Sequence, residues 1–347
     1  MNIIHIIPSL GSGGAERMLS KIISEDLENK HTIIFYKKTS IVYDFTNADT
    51  HYLNIKSIKE TFKLLHNLNI EKYEIVNSWM RANLFGVLYK LLFRKAKIIF
   101  NIRHDFPYQL GIKKILEHFV IWQSKFMDGT IFVSYSAYKN YSIKGYKNKN
   151  STVITNGFET NKYNMYKNQN NRKQIIGYVG RYNQIKNQKR MLRIFNEINN
   201  SAKQTELWLV GANLEKLPID TYVKNPSKVK LLGELKDLSE VYSSIDLLML
   251  TSIKEGFPNV VGEAMSYGVP VATTDAGDSY SIIQNSGIKI ESYDDPIKTS
   301  EKILTLLKNK IEVQQLSDLS YQRINKHYDI KDILKNYTLY YRYIKEL

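Results

Sequence analysis

The chain has 347 residues, of which 43% are hydrophobic and 24% are charged, and its net charge is +15. This balance is typical of globular proteins, excludes a disordered or fibrous chain, and at this length predicts two domains. The absence of cysteine excludes disulfides and thiolate metal sites.

The first residues form a short β-branched run. They have no positively charged n-region and no small-residue cleavage site, which predicts a strand and not a signal peptide. The longest apolar run, residues 84–93, contains Lys90 and falls short of the roughly 18 residues that a membrane span requires. We therefore expect a cytoplasmic protein.

Short β-branched runs alternate with longer amphipathic stretches, and they do so twice along the chain. This alternation predicts parallel sheets covered by helices, which is the α/β class. The first set of predicted strands covers residues 3–8, 31–36, 74–78, 97–102, 129–133 and 152–155. The second set covers residues 174–180, 206–211, 228–232, 247–251 and 269–273.

Residues 161–173 are rich in Asn, Lys and Gln and nearly free of aliphatic side chains, which is typical of a linker. We place the domain boundary there, with domains at residues 1–165 and 166–329. Residues 330–347 carry apolar side chains at helical spacing, which predicts a terminal helix whose apolar face needs a partner.

The excess of positive charge is larger in the first half of the chain. Residues 1–165 hold 23 Lys and Arg and 13 Asp and Glu, whereas residues 166–347 hold 26 Lys and Arg and 21 Asp and Glu. A basic surface attracts a lipid surface, a diphosphate or a nucleic acid, although solvated lysines explain the same count. Residues 84–97 mix apolar and basic side chains, so we expect peripheral contact with an anionic membrane at its inner face. No recognisable motif supports a nucleic-acid binding module, and we expect no nucleic-acid partner.

A glycine-rich loop with Gly13 and Gly14 follows the first predicted strand and opens a helix, so its backbone amides suit an anion such as a phosphate. The alternative is a turn that only lets the helix pack on the sheet. The dinucleotide-binding fingerprint G-x-G-x-x-G requires a glycine where this chain has Glu16. Lys37 and Lys38 end the second strand, where a ribose-binding acid is expected. Both features disfavour NAD.

Two further strand ends carry polar side chains. His104 follows the strand at residues 97–102, where ligands bind in doubly wound sheets, although a lone histidine is more often structural. Gly180 ends another strand, and Arg181 and Lys186 follow it. The planar guanidinium of Arg181 and the mobile ammonium of Lys186 together suit one diphosphate. A solvated basic loop is the alternative.

The segment from Glu255 to Glu263 is the most informative part of the sequence. Glu255 lies in a loop after the strand at residues 247–251, and Pro258 fits the first turn of a helix that stops at Gly268. Glu263 then falls in the second helical turn. Because each carboxylate oxygen accepts a separate hydrogen bond, this pair is suited to binding the hydroxyls of a sugar and of a ribose.

Residues 252–271 read SIKEGFPNVVGEAMSYGVPV and closely resemble the signature of family 4 retaining glycosyltransferases, which have the GT-B fold of two Rossmann-like domains facing a cleft. The pair Pro258 and Asn259 resembles the subgroup that builds surface polysaccharides. The resemblance extends in order across nearly the whole chain. Its further matches are Ala15, Glu16, His104, Asp105, Asn156, Gly157, Gly180, Arg181, Lys186, Asn187, Val210, Gly211, Leu232, Gly233 and Asp246.

The resemblance implies a role for each of these positions. Arg181 and Lys186 would hold the donor diphosphate, and Glu263 would bind the ribose hydroxyls. Glu255 would lie at the transferred sugar, with His104 near its anomeric centre. The remaining donor contacts would come from Gly13, Gly14, Gly233, Leu235, Gly256, Phe257, Asn259 and Val260.

Three positions depart from the family pattern. Asn213 stands where a second glycine is common, and Asp278 stands where a glutamate is common after the preceding glycine turn. Pro258 has no amide, so a backbone contact with the donor in this loop must come from its neighbours.

We therefore expect a retaining hexosyltransferase that moves a hexose or N-acetylhexosamine from a nucleotide sugar, with UDP as the expected nucleotide, to a glycan or lipid-linked acceptor. The acceptor would belong to a capsule, O-antigen or other surface polysaccharide and would bind to residues 1–165, onto which residues 330–347 would pack back. Residues 166–329 would bind the donor. We expect no cofactor and no metal, because Asp-x-Asp motifs and clustered histidines are missing from the sequence. The alternatives are a sugar-nucleotide epimerase or a phosphorylase on the same architecture.

Overall fold

The computed structural model describes residues 1–11, 13–107, 111–160, 173–202, 204–291 and 295–347, except for the side chains of Ile58 and Phe62. These residues divide into two compact units, which are Met1–Gly157 with Ile330–Leu347, and Phe158–Asp329. The boundary predicted at residues 165 and 166, and all of the predicted linker except Lys173, lie outside the described residues.

The described residues of the first unit form a seven-stranded sheet with the order β3-β2-β1-β4-β5-β6-β7, and each strand pair is parallel. Its elements in chain order are β1 (Asn2–Ile7), α1 (Gly14–Glu25), β2 (Lys30–Phe35), β3 (Ala48–Tyr52), α2 (Ile58–Asn67), β4 (Ile75–Trp79), α3 (Gly86–Leu92), β5 (Lys97–Ile102), α4 (Ile112–Gln123), β6 (Gly129–Phe132), α5 (Tyr135–Ile143) and β7 (Ser151–Val153).

The described residues of the second unit form a six-stranded sheet with the order β10-β9-β8-β11-β12-β13, which is also parallel throughout. Its elements are β8 (Gln174–Val179), α6 (Gln188–Ser201), β9 (Thr205–Val210), α7 (Ile219–Tyr222), β10 (Val229–Gly233), α8 (Ser239–Ser244), β11 (Leu247–Leu250), α9 (Asn259–Ser266), β12 (Val271–Thr274), α10 (Ser279–Ile283), β13 (Gly287–Ile290), α11 (Pro296–Lys308) and α12 (Lys310–His327).

The last helix, α13 (Ile330–Glu346), belongs to the first unit and buries its apolar face there. Its tyrosines also make polar contacts with the sheet, because Asn77 donates a 2.6 Å hydrogen bond to the hydroxyl of Tyr341, and the amide of Thr130 donates one of 2.8 Å to the hydroxyl of Tyr340. The amphipathic pattern of residues 330–347 therefore reflects a helix that covers one face of the first sheet.

Alternation along β1 separates the core of the first unit into two layers. Ile3 and Ile7 pack with α1 and α13, whereas Ile4 and Ile6 pack with residues of α3, α4 and α5 on the other face. Since both faces of the parallel sheet are covered, its central strands are buried on both sides and mostly apolar.

All eleven strands predicted from the sequence are present, with ends that differ by at most two residues. The prediction missed β3 and β13, which both lie at sheet edges. An edge strand pairs on one side only and is covered less completely, so its sequence carries less of the apolar signal. In β3 the side chains are polar or half-exposed, and β13 has only four residues.

A chain of buried polar contacts crosses β4, β1 and β2. The indole Nε1 of Trp79 donates to Nδ1 of His5 at 3.3 Å, and Nε2 of His5 lies 3.0 Å from Nδ1 of His31. Nε2 of His31 in turn lies 3.3 Å from a carboxylate oxygen of Asp26. Burial is the largest cause that lowers the pKa of His5 well below its usual value, with the neighbouring His31 adding to it.

The buried His5 predicts that acid destabilises the protein. The unfolded chain binds a proton at His5 below a pH of about 6.5, whereas the folded protein does not, so the free energy of unfolding falls as the pH drops below that value. We expect His5→Gln to flatten this slope by up to about 1.4 kcal/mol per pH unit. Denaturant unfolding at pH 7.0 and 5.5 measures it. His66→Gln, at an exposed histidine of α2, is the control, and equal slopes in both variants would contradict the prediction.

Candidate active site

The strand order of the second unit reverses direction between β8 and β11, which are neighbours at the centre of the sheet. Ligands of doubly wound sheets bind outside the carboxyl ends of the strands at such a reversal, because the two following loops diverge there. The loop after β8 covers residues 180–187, and the loop after β11 covers residues 251–258. The predicted residues Arg181, Lys186 and Glu255 all lie in these two loops.

The two loops meet in an ion pair between Lys186 and Glu255. Nζ of Lys186 lies 2.6 Å from Oε1 of Glu255, and the hydroxyl of Ser252 donates a hydrogen bond of 2.6 Å to the same oxygen. The side chains of Lys186 and Glu255 keep 22% and 13% of their surface accessible. A cation and a carboxylate thus lie side by side and still reach solvent.

Hydrogen bonds between the loops hold this pair in place. The amide of Ile253 donates to the carbonyl of Ile185 at 2.8 Å, and the hydroxyl of Thr251 donates to the carbonyl of Asn187 at 3.0 Å. Gln188 donates to the carbonyl of Arg181 at 2.9 Å. The backbone around Arg181 is therefore fixed, while its guanidinium is exposed and makes no hydrogen bond or ion pair with the residues that the structure describes.

Glu263 lies in the second turn of α9, as predicted. Its side chain is buried, and the hydroxyl of Tyr242 on α8 donates a 2.9 Å hydrogen bond to Oε2. The helix begins at Asn259, one residue later than predicted, so Pro258 precedes the first helical residue. Gly268 follows the helix with φ +68°, the left-handed conformation expected of a glycine stop.

Two glycines let the strand-end loops approach each other. Gly180 and Gly211 both have positive φ, at +153° and +141°. A Cβ on Gly211 would lie 2.6 Å from the carbonyl carbon of Gly180. Gly277 plays the same part beside the other loop, where a Cβ would lie 2.9 Å from the carbonyl oxygen of Glu255. Asn213, which replaces a family glycine, has φ +62°, and asparagine tolerates this left-handed conformation.

The other predicted donor contacts of the second unit are distributed around these loops. Phe257 is buried against Phe158, with ring centroids 6.3 Å apart, and its carbonyl accepts the amide of Asn259 at 3.0 Å. Gly233 ends β10 and its carbonyl accepts the amide of Gly211 at 2.7 Å. Gly233 and Leu235 are exposed, and Gly256, Asn259 and Val260 are half-buried.

In the first unit, the predicted glycine loop leads directly into α1. Gly13 caps the helix and Gly14 is its exposed first residue. The buried Glu16 side chain folds back over Gly13, and its Oε1 accepts a 3.2 Å hydrogen bond from Ser9. Burial raises the pKa of Glu16. The carboxyl group that breaks the dinucleotide fingerprint is therefore part of the loop structure.

His104, the other predicted residue of the first unit, follows β5 and contacts two side chains. Its Nε2 lies 2.9 Å from Oε1 of Glu117 on α4 and 3.2 Å from the hydroxyl of Tyr141 on α5. Neither partner of His104 is marked by a sequence pattern, and the same holds for Ser252 and Tyr242. Each is an ordinary residue of a helix or loop, and only the fold brings it to a predicted residue.

Comparison with known proteins defines the class of protein that carries this site. Residues 173–309 match the family Glycosyl transferases group 1. The second unit therefore contains a group 1 glycosyl transferase domain of the GT4 type, and the chain has the GT-B fold. The predicted family is confirmed for this domain and the predicted fold class for the chain, and the epimerase alternative is not favoured.

Particular relatives are similar over much of the chain. It is 27% identical to the O-antigen biosynthesis glycosyltransferase WclY of Escherichia coli over 299 residues, or 79% of this chain and 80% of that protein. It is 23% identical to the capsular polysaccharide biosynthesis glycosyltransferase CapM of Staphylococcus aureus over 322 residues, or 85% of this chain and 83% of that protein. The match to the N-acetyl-alpha-D-glucosaminyl L-malate synthase of Bacillus anthracis, 26% identical over 178 residues, spans 50% of this chain and 46% of that protein.

A solved structure of Anabaena HepE in complex with UDP is similar in fold. Its TM-score is 0.80 at 17% identity, over 97% of this chain and 98% of that chain. Within the described part of this chain, no helix is both long and apolar enough to cross a bilayer. No three His, Asp or Glu side chains among the described residues cluster as metal ligands.

The close approach of Gly211 to Gly180 predicts a steric penalty for Gly211→Ala. Backbone strain costs about 1–3 kcal/mol and overpacking adds about 1–3 kcal/mol, so the denaturant midpoint falls. Gly145→Ala is the matched control, because Gly145 also has positive φ, at +92°, but nothing lies within 4 Å of an added Cβ. Equal losses of stability in the two variants would contradict the steric argument.

Proposed function

We propose that this chain is a retaining glycosyltransferase that transfers a hexose or N-acetylhexosamine from a UDP-sugar to a glycan or lipid-linked acceptor. The product would be a capsule, an O-antigen or another surface polysaccharide. The observation that carries the proposal is the contact of Lys186 with Glu255 at the central strand ends of the group 1 domain. The relatives named for O-antigen and capsule synthesis support the polysaccharide, and the HepE complex supports UDP.

The charged side chains of the two loops bind different parts of the donor. Arg181 and Lys186 bind the diphosphate, because a planar fork and a mobile ammonium together match an anion with many oxygens. Glu255, beside Lys186, accepts hydrogen bonds from hydroxyls of the transferred sugar. Glu263, oriented by Tyr242, accepts the ribose hydroxyls.

The remaining donor contacts are backbone contacts and one histidine. In the second unit, the base lies against Gly233 and Leu235, and the backbone of Gly256, Phe257, Asn259 and Val260 further holds the phosphates and the sugar. In the first unit, His104 binds a sugar hydroxyl, and the backbone of Gly13 and Gly14 binds an anion.

The proposed reaction proceeds on one face of the donor sugar. The acceptor hydroxyl forms a bond to the anomeric carbon while the bond from that carbon to the diphosphate breaks, and the configuration is retained. The bonding electron pair goes to the leaving phosphate oxygen, which also takes the proton of the acceptor hydroxyl. Arg181 and Lys186 stabilise the charge that grows on the diphosphate, so we propose that no metal is required.

Replacement of Lys186 by alanine tests the proposal. We expect kcat/KM with the UDP-sugar to fall at least about 100-fold, which is the usual effect of removing a charge-stabilising donor. UDP at 100 times its Kd stabilises the wild type by about 2.7 kcal/mol, and this gain should be largely lost in the variant. Thermal unfolding with and without UDP measures it.

Lys189→Ala, at an exposed lysine of α6 three residues away, is the matched control and keeps full activity. Circular dichroism verifies that the Lys186 variant is folded. Turnover in EDTA checks metal independence, and NMR of the product's anomeric proton checks retention. Unchanged turnover in Lys186→Ala would overturn the proposed role of the strand-end loops.

We also propose that the first unit binds an anionic membrane surface. Within residues 84–97, where the sequence predicts this contact, Leu88 and Leu91 are exposed. The neighbouring α4 and the turn after it add a larger apolar surface with Lys113 and Lys125 beside it. Its exposed side chains are Ile112, Ile115, Leu116, Phe119, Trp122 and Phe126. Apolar side chains flanked by lysines match the chemistry of an anionic interface.

Sedimentation with vesicles tests the membrane proposal. We expect the protein to sediment with vesicles that contain anionic lipid and to be released at about 1 M salt, where screening over about 3 Å removes surface charge attraction. The double variant Phe119→Ser and Trp122→Ser should lose at least half of the bound fraction. The control is Ile297→Ser with Leu319→Ser, at two exposed residues of the second unit. Equal binding by the two double variants would contradict the assignment of this surface.

A further inference from the structure

A cavity of about 500 Å³ lies in the first unit between the turn before β6 and the loop before β7. Its volume falls in the range of about 300–1,000 Å³ that is usual for small-ligand sites. The charged residues of its lining are Lys125, Lys147 and Lys149, and no described residue that lines it is acidic. Tyr138 and Ser142 add hydroxyl groups to the wall. This lysine cavity is therefore suited to an anion.

The three lysines have no acidic partner of their own. None of them forms an ion pair with a residue that the structure describes. Asp128 lies three residues after Lys125, but its carboxylate is paired with Lys90. The same carboxylate accepts the amide of Ile98 at 2.6 Å. Because the three ammonium groups repel one another, an anion that binds between them is stabilised by all three.

Two asparagines fix the backbone that carries the last two lysines. The side-chain amide of Asn148 donates to the carbonyl of Met127 at 2.7 Å, and that of Asn150 donates to the carbonyl of Asp128 at 2.8 Å. The loop is thus held against the turn before β6, while the lysines that alternate with the asparagines are exposed. A backbone that is already fixed loses little conformational freedom when an anion binds.

The lysine cavity lies at the opposite end of the strands from the predicted site residues of the first unit. Residues 125–127 precede β6 and residues 144–150 precede β7, so the cavity lies at the amino ends of these two parallel strands. His104, in contrast, follows the carboxyl end of β5. The ligand of the cavity is therefore distinct from the groups that react.

Lys125 connects the lysine cavity to the exposed apolar surface of α4 and the turn after it. Its Nζ lies 5.7 Å from the ring centroid of Trp122 and 5.0 Å from that of Phe126. Both rings are exposed and belong to the surface for which we propose membrane contact. A ligand that reaches both places has an anionic head beside an apolar body, which is the chemistry of an anionic lipid.

We infer that the lysine cavity binds the phosphate headgroup of a membrane lipid while the rings of Trp122 and Phe126 enter the bilayer interface. Three lysines match a phosphomonoester, with its charge of about −1.5 to −2 at neutral pH, better than a singly charged phosphodiester. This inference rests on the proposed membrane contact and adds a selectivity to it. The protein prefers phosphatidic acid to phosphatidylglycerol.

Vesicle sedimentation tests this preference. We expect tighter binding to phosphatidylcholine vesicles that contain phosphatidic acid than to vesicles with the same mole fraction of phosphatidylglycerol. One lysine at an anionic surface contributes a factor of about 5 to binding. The double variant Lys147→Gln and Lys149→Gln should therefore bind phosphatidic acid about 25-fold more weakly and lose the preference.

The matched control is Lys139→Gln with Lys144→Gln. It removes the same charge at two exposed lysines that do not line the cavity, and it should keep the preference for phosphatidic acid. Equal losses in the two double variants would mean that only net charge matters, and would overturn the inference.

Inorganic phosphate distinguishes a lipid headgroup from a soluble ligand. At the concentration of the phosphatidic acid headgroups it should not displace the protein from the vesicles, because it offers no bilayer to the apolar surface of α4. Displacement at that concentration would assign the cavity to a soluble phosphate and overturn the lipid assignment.

Titration with dihexanoyl phosphatidic acid, kept below its micelle concentration, separates the two proposals. We expect the wild type to bind it and the double variant Lys147→Gln and Lys149→Gln to lose this binding. If the protein binds this lipid but no vesicle, the proposed membrane contact fails and the headgroup site stands. If it binds both kinds of vesicle alike and does not bind the short-chain lipid, the headgroup site fails and the membrane contact stands.

Discussion

The reversal of strand order between β8 and β11 is the constraint on which the candidate site depends. Successive helices cover opposite faces of the sheet on the two sides of this point, so the loops that leave the two strands have no helix directly above them. Lys186 and Glu255 come from these two loops, 69 residues apart in the chain, and meet there at 2.6 Å.

Two kinds of residue make this arrangement possible. Glycines at positions 211 and 277 allow the strand-end loops to approach each other more closely than a side chain permits. Polar partners then contact the predicted site residues, as Ser252 does for Glu255, Tyr242 for Glu263, and Glu117 with Tyr141 for His104. These side chains are thus held by neighbours that are largely buried, and preorganised groups of this kind need little reorganisation when a ligand binds.

The candidate site could be predicted from the sequence to a defined extent. Lys186, Glu255 and Glu263 were found because glycines, a proline and strand ends surround them, and these are local signals with a physical cause. Glu117, Tyr141 and Tyr242 could not be found, since each lies in an amphipathic helix whose sequence pattern reports only which face is buried. The helix start was predicted one residue early, because proline is compatible with the position before a helix as well as with its first turn.

Local patterns were enough to predict the α/β class, eleven strands and the terminal helix, because β-branched runs, glycines and amphipathic spacing act over a few residues. The two edge strands and the ion pair of Lys186 with Glu255 follow instead from tertiary contacts. Edge strands depend on a neighbour for their pairing. Charge pairs depend on atoms that lie far apart in the chain and within 3 Å of each other in the fold.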